Sequence, residues 1–313
     1  MTLTPDKNTI IIANASKALA EYCIKYGIHN TVTGVSGGLD SAVTIFLSQK
    51  AKEVAAEKGF ELRSLGLILP CHSDPKHAVL GKKVIKACGA ELLEVDLTGV
   101  FDFTEKAVLK PVADAVAEYH NGAQKERYRT SQGNVKARLR MGLGTYYVAN
   151  MVNGLVLSTD NYSELMMGFW TLHGDVGDYG MIQNLWKGSE LIEIARELEV
   201  PQEVIDSAPT DGLGVLPGGD EAQLGAPYPV VDEILKELVQ NGYDLDGPIE
   251  QLKQLGSNQR HEASNSDLDS EAIHYSETWS HPLQLVQKIA KRAFGNAFKR
   301  KSPVNLSREE LGL

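Results

Sequence analysis

Positive charge is in short supply: 31 Lys and Arg stand against 41 Asp and Glu, a formal net charge of -10. Nucleic acids and anionic membrane surfaces are held through an excess of Lys and Arg, so neither is an expected partner, and any anionic substrate must be met by a local group of cations. Cysteine is scarce as well. Cys23, Cys71 and Cys88 are odd in number and show no CxxC spacing, which argues against a zinc site and against a disulfide framework. No run of about 18 apolar residues occurs, and the N-terminal residues lack a basic stretch leading into an apolar one, so the expected location is cytoplasmic with no membrane contact. The patterns GxxxxGK[ST] and GxGxxG are also absent, which removes the P-loop and the dinucleotide-binding Rossmann turn.

What is present is a strict alternation. In a chain of 313 residues with 42% hydrophobic content, long enough to bury a sizeable core, helical spacing over 8–26 stops at Gly27. Residues 31–35 then read as a short buried strand and 39–58 as a helix. Strand patterns follow at 62–69 and 91–97, with helices at 76–88 and 100–119. After the polar stretch 121–134, a helix is expected over 135–153, a strand over 155–158, a helix start in TDNYSEL and a helix over 189–198. A last helix covers about 283–298. This order predicts an α/β fold: a doubly wound, mostly parallel sheet flanked by helices. The Gly- and Pro-rich segment 208–229 reads as a long ordered or substrate-closing loop, and the polar, acidic segment 257–271 as mobile. No repeat or linker divides the chain, so one domain over 1–313 is expected.

The chemistry concentrates first in GVSGGLDSA, where the first strand feeds the helix that follows it. Gly34, Val35, Ser36, Gly37, Gly38, Leu39, Asp40 and Ser41 combine glycines that admit an anion to the backbone, two hydroxyls and the open N–H groups of a helix start. Asp40 would repel a phosphate unless a cation sat between them. A carboxylate in an anion cradle therefore implies Mg²⁺ shared between protein and substrate phosphates. The turn resembles the pyrophosphate loop of the ATP pyrophosphatases, in which SGGxDS follows the first strand.

Further motifs follow in order: NVKARLRM (134–141), STDNYSE (158–164), GFWTLHGDVGD (168–178), NLWK (184–187), PTDGL (209–213) and DEAQLG (220–225). The succession resembles the ammonia-dependent NAD synthetases over roughly residues 8–235. That resemblance implies a Rossmann-like ATP pyrophosphatase fold and a ligase that adenylates the nicotinate carboxylate of deamido-NAD with ATP. Pyrophosphate is released, and ammonia then displaces AMP to give NAD. It places ATP on Gly34 to Ser41 with Thr159, Lys187 and Thr210, and Mg²⁺ on Asp40 and Glu164. It places deamido-NAD on Arg138, Asp178, Lys299 and Arg300, the match at Asp178 requiring one deletion in a GDGGAD-like run. It further implies a homodimer that builds the dinucleotide site across its interface.

On the residues themselves, a lysine at 187 suits the charge that develops on departing pyrophosphate. Arg138 and Arg140, two apart on a helix, do not share a face, so one is expected on substrate and the other in a structural ion pair. Asp175, in the GDVGD turn, is the candidate to orient ammonia or take its proton. The chain departs from the family at Leu172, where a lysine is usual, at Asp211 and Gly212 in place of Ala-Asp, and at Phe298 in place of histidine; His173 reads as structural. These changes leave the ATP half intact and keep open a related ligase acting on another carboxylate or carbonyl acceptor. With no amidase domain in the chain, free ammonia is the expected donor, or a separate glutaminase subunit.

Overall fold

The computed structural model describes residues 6–117, 124–210, 212–213, 219–255, 279–301 and 306–310. Asp211 and the segment 257–271 lie outside them. Helix α1 (Lys7–Tyr26) is opened by the Asp6 side chain, which accepts from the Lys7 amide, and closed by Gly27 in the left-handed region. There follow β1 (Asn30–Gly34), α2 (Leu39–Glu57), β2 (Arg63–Ile68), α3 (Pro75–Cys88) and β3 (Glu91–Glu94). The next helical stretch comprises α4 (Thr98–Thr104), a π-helical turn (Glu105–Leu109) and α5 (Lys110–Ala115). Pro111 cannot donate to the carbonyl of Ala107, and the helix widens just ahead of it.

The stretch 121–134 is where composition misleads. From Gln124 onward it is already helix α6 (Gln124–Leu139), which continues through a π-helical turn (Arg140–Tyr146) into α7 (Tyr147–Val152). Its first turns carry no apolar stripe because they are held by polar contacts, Tyr128 and Gln132 both donating to Glu105. Strand β4 (Gly154–Ser158), α8 (Tyr162–Met167) and the two-residue β5 (Tyr179–Gly180) complete the sheet. A π-helical turn (Lys187–Leu191) leads into α9 (Ile192–Glu197), followed by α10 (Gln202–Ile205), α11 (Gly219–Leu224), α12 (Tyr228–Gln240), α13 (Leu283–Gly295) and α14 (Ala297–Arg300).

The sheet order is β3-β2-β1-β4-β5 with every pairing parallel, as the alternation of elements predicts. On one face α2, α3 and α9 bury Ile45, Leu47, Val84, Ile85 and Ile194, and on the other α7 covers Val32, Leu67 and Val156 with Ala149. A further apolar cluster joins α8, α12 and α13 through Met167, Val231, Ile234, Leu235, Ile289 and Phe294. The strand order reverses between β1 and β4. At such a switch point, the loops leaving the carboxyl ends of the two strands diverge and leave a crevice between them.

Candidate active site

That crevice is a cavity of about 830 Å³, lined by the whole turn Gly34–Ser41 and by Thr159, Asp160, Glu164, Asp175, Lys187, Thr210, Asp220 and Tyr228, among others. Helix α2 begins there with Gly38 as N-cap and no side-chain capping bond, so its first amides face the cavity as donors. The turn braces itself. Ser36 and Ser41 hydroxyls bond each other at 3.1 Å, the Ser36 amide donates to Ser41 Oγ at 3.2 Å, and the Gly38 amide donates to Ser36 Oγ at 3.2 Å.

Across the crevice, Asn161 caps α8. Its side chain accepts from the Glu164 amide at 3.0 Å, while the Glu164 carboxylate accepts from the Asn161 amide at 3.4 Å, a reciprocal capping box. The Asn161 amide group also donates to Asp40 Oδ1 at 2.8 Å, tying the loop after β4 to the loop after β1. Asp40 and Glu164 are thereby brought to a shared point, and Lys187 occupies it. Its Nζ lies 2.8 Å from Asp40, 2.9 Å from Glu164 and 3.9 Å from Asp220, and 4.3 Å from the centre of the Tyr228 ring. The Tyr228 hydroxyl donates to Glu164 at 3.1 Å and to Asp220 at 3.3 Å.

Three carboxylates and one ammonium set the local electrostatics, Lys187 and Asp220 buried and Asp40 and Glu164 partly so. Burial alone would lower Lys187, but the charges of Asp40, Glu164 and Asp220 outweigh it and hold the ammonium well above its ordinary value, so it is a permanent cation. Burial raises Glu164, with Lys187 opposing. The Tyr228 phenol is pushed well up, by burial first and then by Glu164 and Asp220, which keeps it a neutral donor. Asp160 is likewise raised well above the carboxylate range, by burial first and then by the charge of Asp175 and Glu164, while the Ser158 hydroxyl donates to it at 2.7 Å. Asp175 accepts the Thr171 amide on both oxygens, at 2.9 and 3.0 Å.

The residues expected on deamido-NAD fall elsewhere. Arg138 and Asp178 do not line the cavity: Arg138 donates to the Leu172 carbonyl at 3.2 Å, and Asp178 accepts from the Tyr146 hydroxyl at 2.5 Å. Lys299 Nζ donates to the Gly168 and Trp170 carbonyls, and burial lowers it to about 8. The Arg300 guanidinium is engaged by Asp246 and the Leu245 carbonyl and by the carbonyls of Leu165 and Met166 in the last turn of α8. Arg140 donates to the Leu69 carbonyl, to Ser73 Oγ and to the Gly212 carbonyl, joining two cavity loops.

Sequence reasoning missed Asn161, Asp160, Asp220 and Tyr228. Asn161 was legible as the first member of a capping pair three residues before Glu164. Asp220 opens the DEAQLG motif, and nothing in the spacing shows that it and Tyr228 would meet Lys187.

A family model described as NAD synthase matches residues 11–303. The NH(3)-dependent NAD(+) synthetase of Alkaliphilus oremlandii is 36% identical over 70% of this chain and 81% of its own length. That of Pyrococcus horikoshii is 30% identical over 94% of both. Among solved structures, the NMN synthetase of Francisella tularensis superposes with a TM-score of 0.64 at 23% identity, covering 97% of this chain and all of that one, a likeness of fold.

Proposed function

The chain belongs to the NAD synthase family, and from that premise we infer that it is a ligase joining ammonia to the nicotinate carboxylate of deamido-NAD at the expense of ATP. The observation that carries the chemistry is the buried Lys187 ammonium, held by Asp40 and Glu164 at the mouth of an amide-lined turn. In the reaction, a carboxylate oxygen of deamido-NAD bonds to the α-phosphorus as the bond to pyrophosphate breaks. Ammonia then bonds to the acyl carbon, AMP leaves with the electron pair of the broken bond, and one proton is lost from nitrogen. The open amides of α2 and the Ser36 and Ser41 hydroxyls bind the β and γ phosphates. Lys187 meets the charge gathering on the leaving pyrophosphate, and Thr159 and Thr210 close the pocket around the nucleotide. Asp175, its carboxylate fixed by the Thr171 amide, orients ammonia and takes the proton.

Magnesium fits the donor set. Asp40, Glu164 and Asp220 place more carboxylates around Lys187 than one ammonium neutralises, and oxygen is the ligand a hard divalent ion takes. Among the described residues no group of three or more His, Cys, Asp or Glu could hold a metal alone, so Asp40 and Glu164 would share the ion with phosphate. When bound, it would neutralise the triphosphate.

The test follows NAD, AMP and pyrophosphate separately from purified protein with ATP, Mg²⁺, deamido-NAD and either ammonium or glutamine. NAD with equimolar AMP from ammonium is the expected result, and pyrophosphate release without NAD would send the acceptor assignment elsewhere. In the same assay Asp175→Asn should release pyrophosphate yet form NAD about 10²-fold more slowly; full turnover would remove its assigned role.

The exposed side chains favour a homodimer with the acceptor site at its interface. Leu143, Tyr147 and Met151, four apart along the π-helical turn and α7, stand 52%, 60% and 69% exposed, an apolar stripe left uncovered by the described residues. Arg138 precedes it on the same helical run, and Asp178 bonds Tyr146 within it. A dimer is expected by light scattering at micromolar concentration. Tyr147→Glu should shift it toward monomer and raise KM for deamido-NAD more than for ATP; a wild-type monomer would contradict the assignment.

A further inference from the structure

Lys187 is held in place from behind by a group outside the cavity lining. Asp232, in the second turn of α12, is 1% exposed. One of its carboxylate oxygens accepts the Ser163 hydroxyl at 2.5 Å and the other accepts the Gly188 amide at 2.9 Å. Ser163 Oγ in turn accepts the Lys187 amide at 3.0 Å. The carboxylate thus reaches both residues of the dipeptide Lys187-Gly188, one bond directly and the other through Ser163. Ser163 immediately precedes Glu164, so the same bond fixes the turn of α8 that presents the Glu164 carboxylate.

Gly188 leaves no slack in this arrangement. A Cβ there would lie 2.5 Å from the Pro229 nitrogen and 2.7 Å from the Tyr228 carbonyl carbon, so α12 packs backbone to backbone against the Lys187 turn. Tyr228, whose ring carries the Lys187 ammonium, opens the same helix one turn before Asp232. The three segments that supply Lys187, Glu164 and Tyr228 therefore meet at one buried carboxylate, which also suits the open amides at the start of the turn leading into α9.

We propose that Asp232 is a positioning residue for the adenylation step, setting the place of the Lys187 ammonium between Asp40 and Glu164 through Ser163 and the Gly188 amide. It touches no substrate. The inference rests on the ligase reading, in which the placement of that ammonium governs the charge met by departing pyrophosphate. An ångström of displacement in such a group is enough to slow a reaction strongly while substrate still binds.

Asp232→Asn keeps the volume but leaves one oxygen where two bonds were accepted. Ser163→Ala removes the hydroxyl that joins Asp232 to the Lys187 amide while leaving the Gly188 bond in place, and it tests the proposal if the first variant fails to fold. Each is expected to lower kcat about 10- to 100-fold with KM for ATP within about threefold of wild type. The double variant should be no slower than the slower single, since both act through one relay. Crystal structures should show Lys187 Nζ displaced from Asp40 or Glu164. A folded variant with kcat within about twofold of wild type, or losses that multiply in the double variant, would overturn the proposal. So would Lys187 left in place. If wild-type protein makes no NAD from deamido-NAD, the ligase reading fails by itself, while the position of Lys187 in the variant crystals still decides the role of Asp232.

Discussion

Lys187→Met is expected to reduce NAD formation by about 10³-fold or more, because it removes the cation aimed at the leaving pyrophosphate in a site where water cannot substitute for it. It should also destabilise the fold. The Lys187 side chain is 8% exposed and lies against Asp40, Glu164 and Asp220, and stripping the cation from buried partners costs about 3–5 kcal/mol at neutral pH. The sign with pH follows from the carboxylates. Burial already raises Glu164 with Lys187 present and opposing it, and without the ammonium this group rises further. A carboxylate whose folded pKa is raised stabilises the fold fully below its unfolded value and loses that contribution as pH climbs through the folded one. The deficit of the variant relative to wild type should therefore be largest near about pH 8 and shrink toward about pH 5 as Glu164 takes up a proton. Urea unfolding of both proteins across that range measures it. An offset independent of pH would mean that Glu164 does not depend on Lys187 for its charge.

The same cluster shows what a sequence can and cannot display. Strands and helices of the first half are legible because burial imposes periodicity: β1 sits in the sheet centre, and α2, which follows it, is buried along most of its length. Asp40 is legible because a carboxylate in a glycine-rich anion turn has no structural reason to be there, and Glu164 because it follows a strand end at the edge where ligands collect. Asp220, Tyr228 and Asp232 are not legible, since their meaning lies in a distance. Tyr228 and Asp232 reach Lys187 and Ser163 through α12 docking on the π-helical turn, Asp220 reaches Lys187 from α11, and no local pattern encodes either approach. The start of α6 failed for the converse reason. Residues from Gln124 are held by Tyr128 and Gln132 donating to Glu105, a polar contact between helices that leaves no apolar period to read.

Gly37→Ala and Gly38→Ala separate two jobs that the motif presents as one. Gly37 has φ of 87°, and a Cβ there would lie 2.5 Å from the His77 carbonyl oxygen and 3.0 Å from both the Gly81 nitrogen and Leu80 Cβ. The obstacles are largely backbone of α3, which cannot swing aside as a side chain could. Strain in the left-handed region adds to the collision, so Gly37→Ala should cost about 2–4 kcal/mol of stability and distort the turn that opens α2. Gly38 differs in each respect. Its φ is -90°, and an added Cβ would meet nothing nearer than Ser36 Oγ at 3.4 Å, an ordinary contact. Gly38→Ala is therefore expected to fold with a loss of about 1 kcal/mol or less. Its methyl group would instead project where phosphate oxygens approach the α2 amides, so KM for ATP should rise by about tenfold or more. Melting temperatures and ATP titrations of the two variants check the division. If Gly38→Ala kept wild-type KM for ATP, the phosphates could not lie against this turn, and Gly37 would be left as a packing glycine under α3.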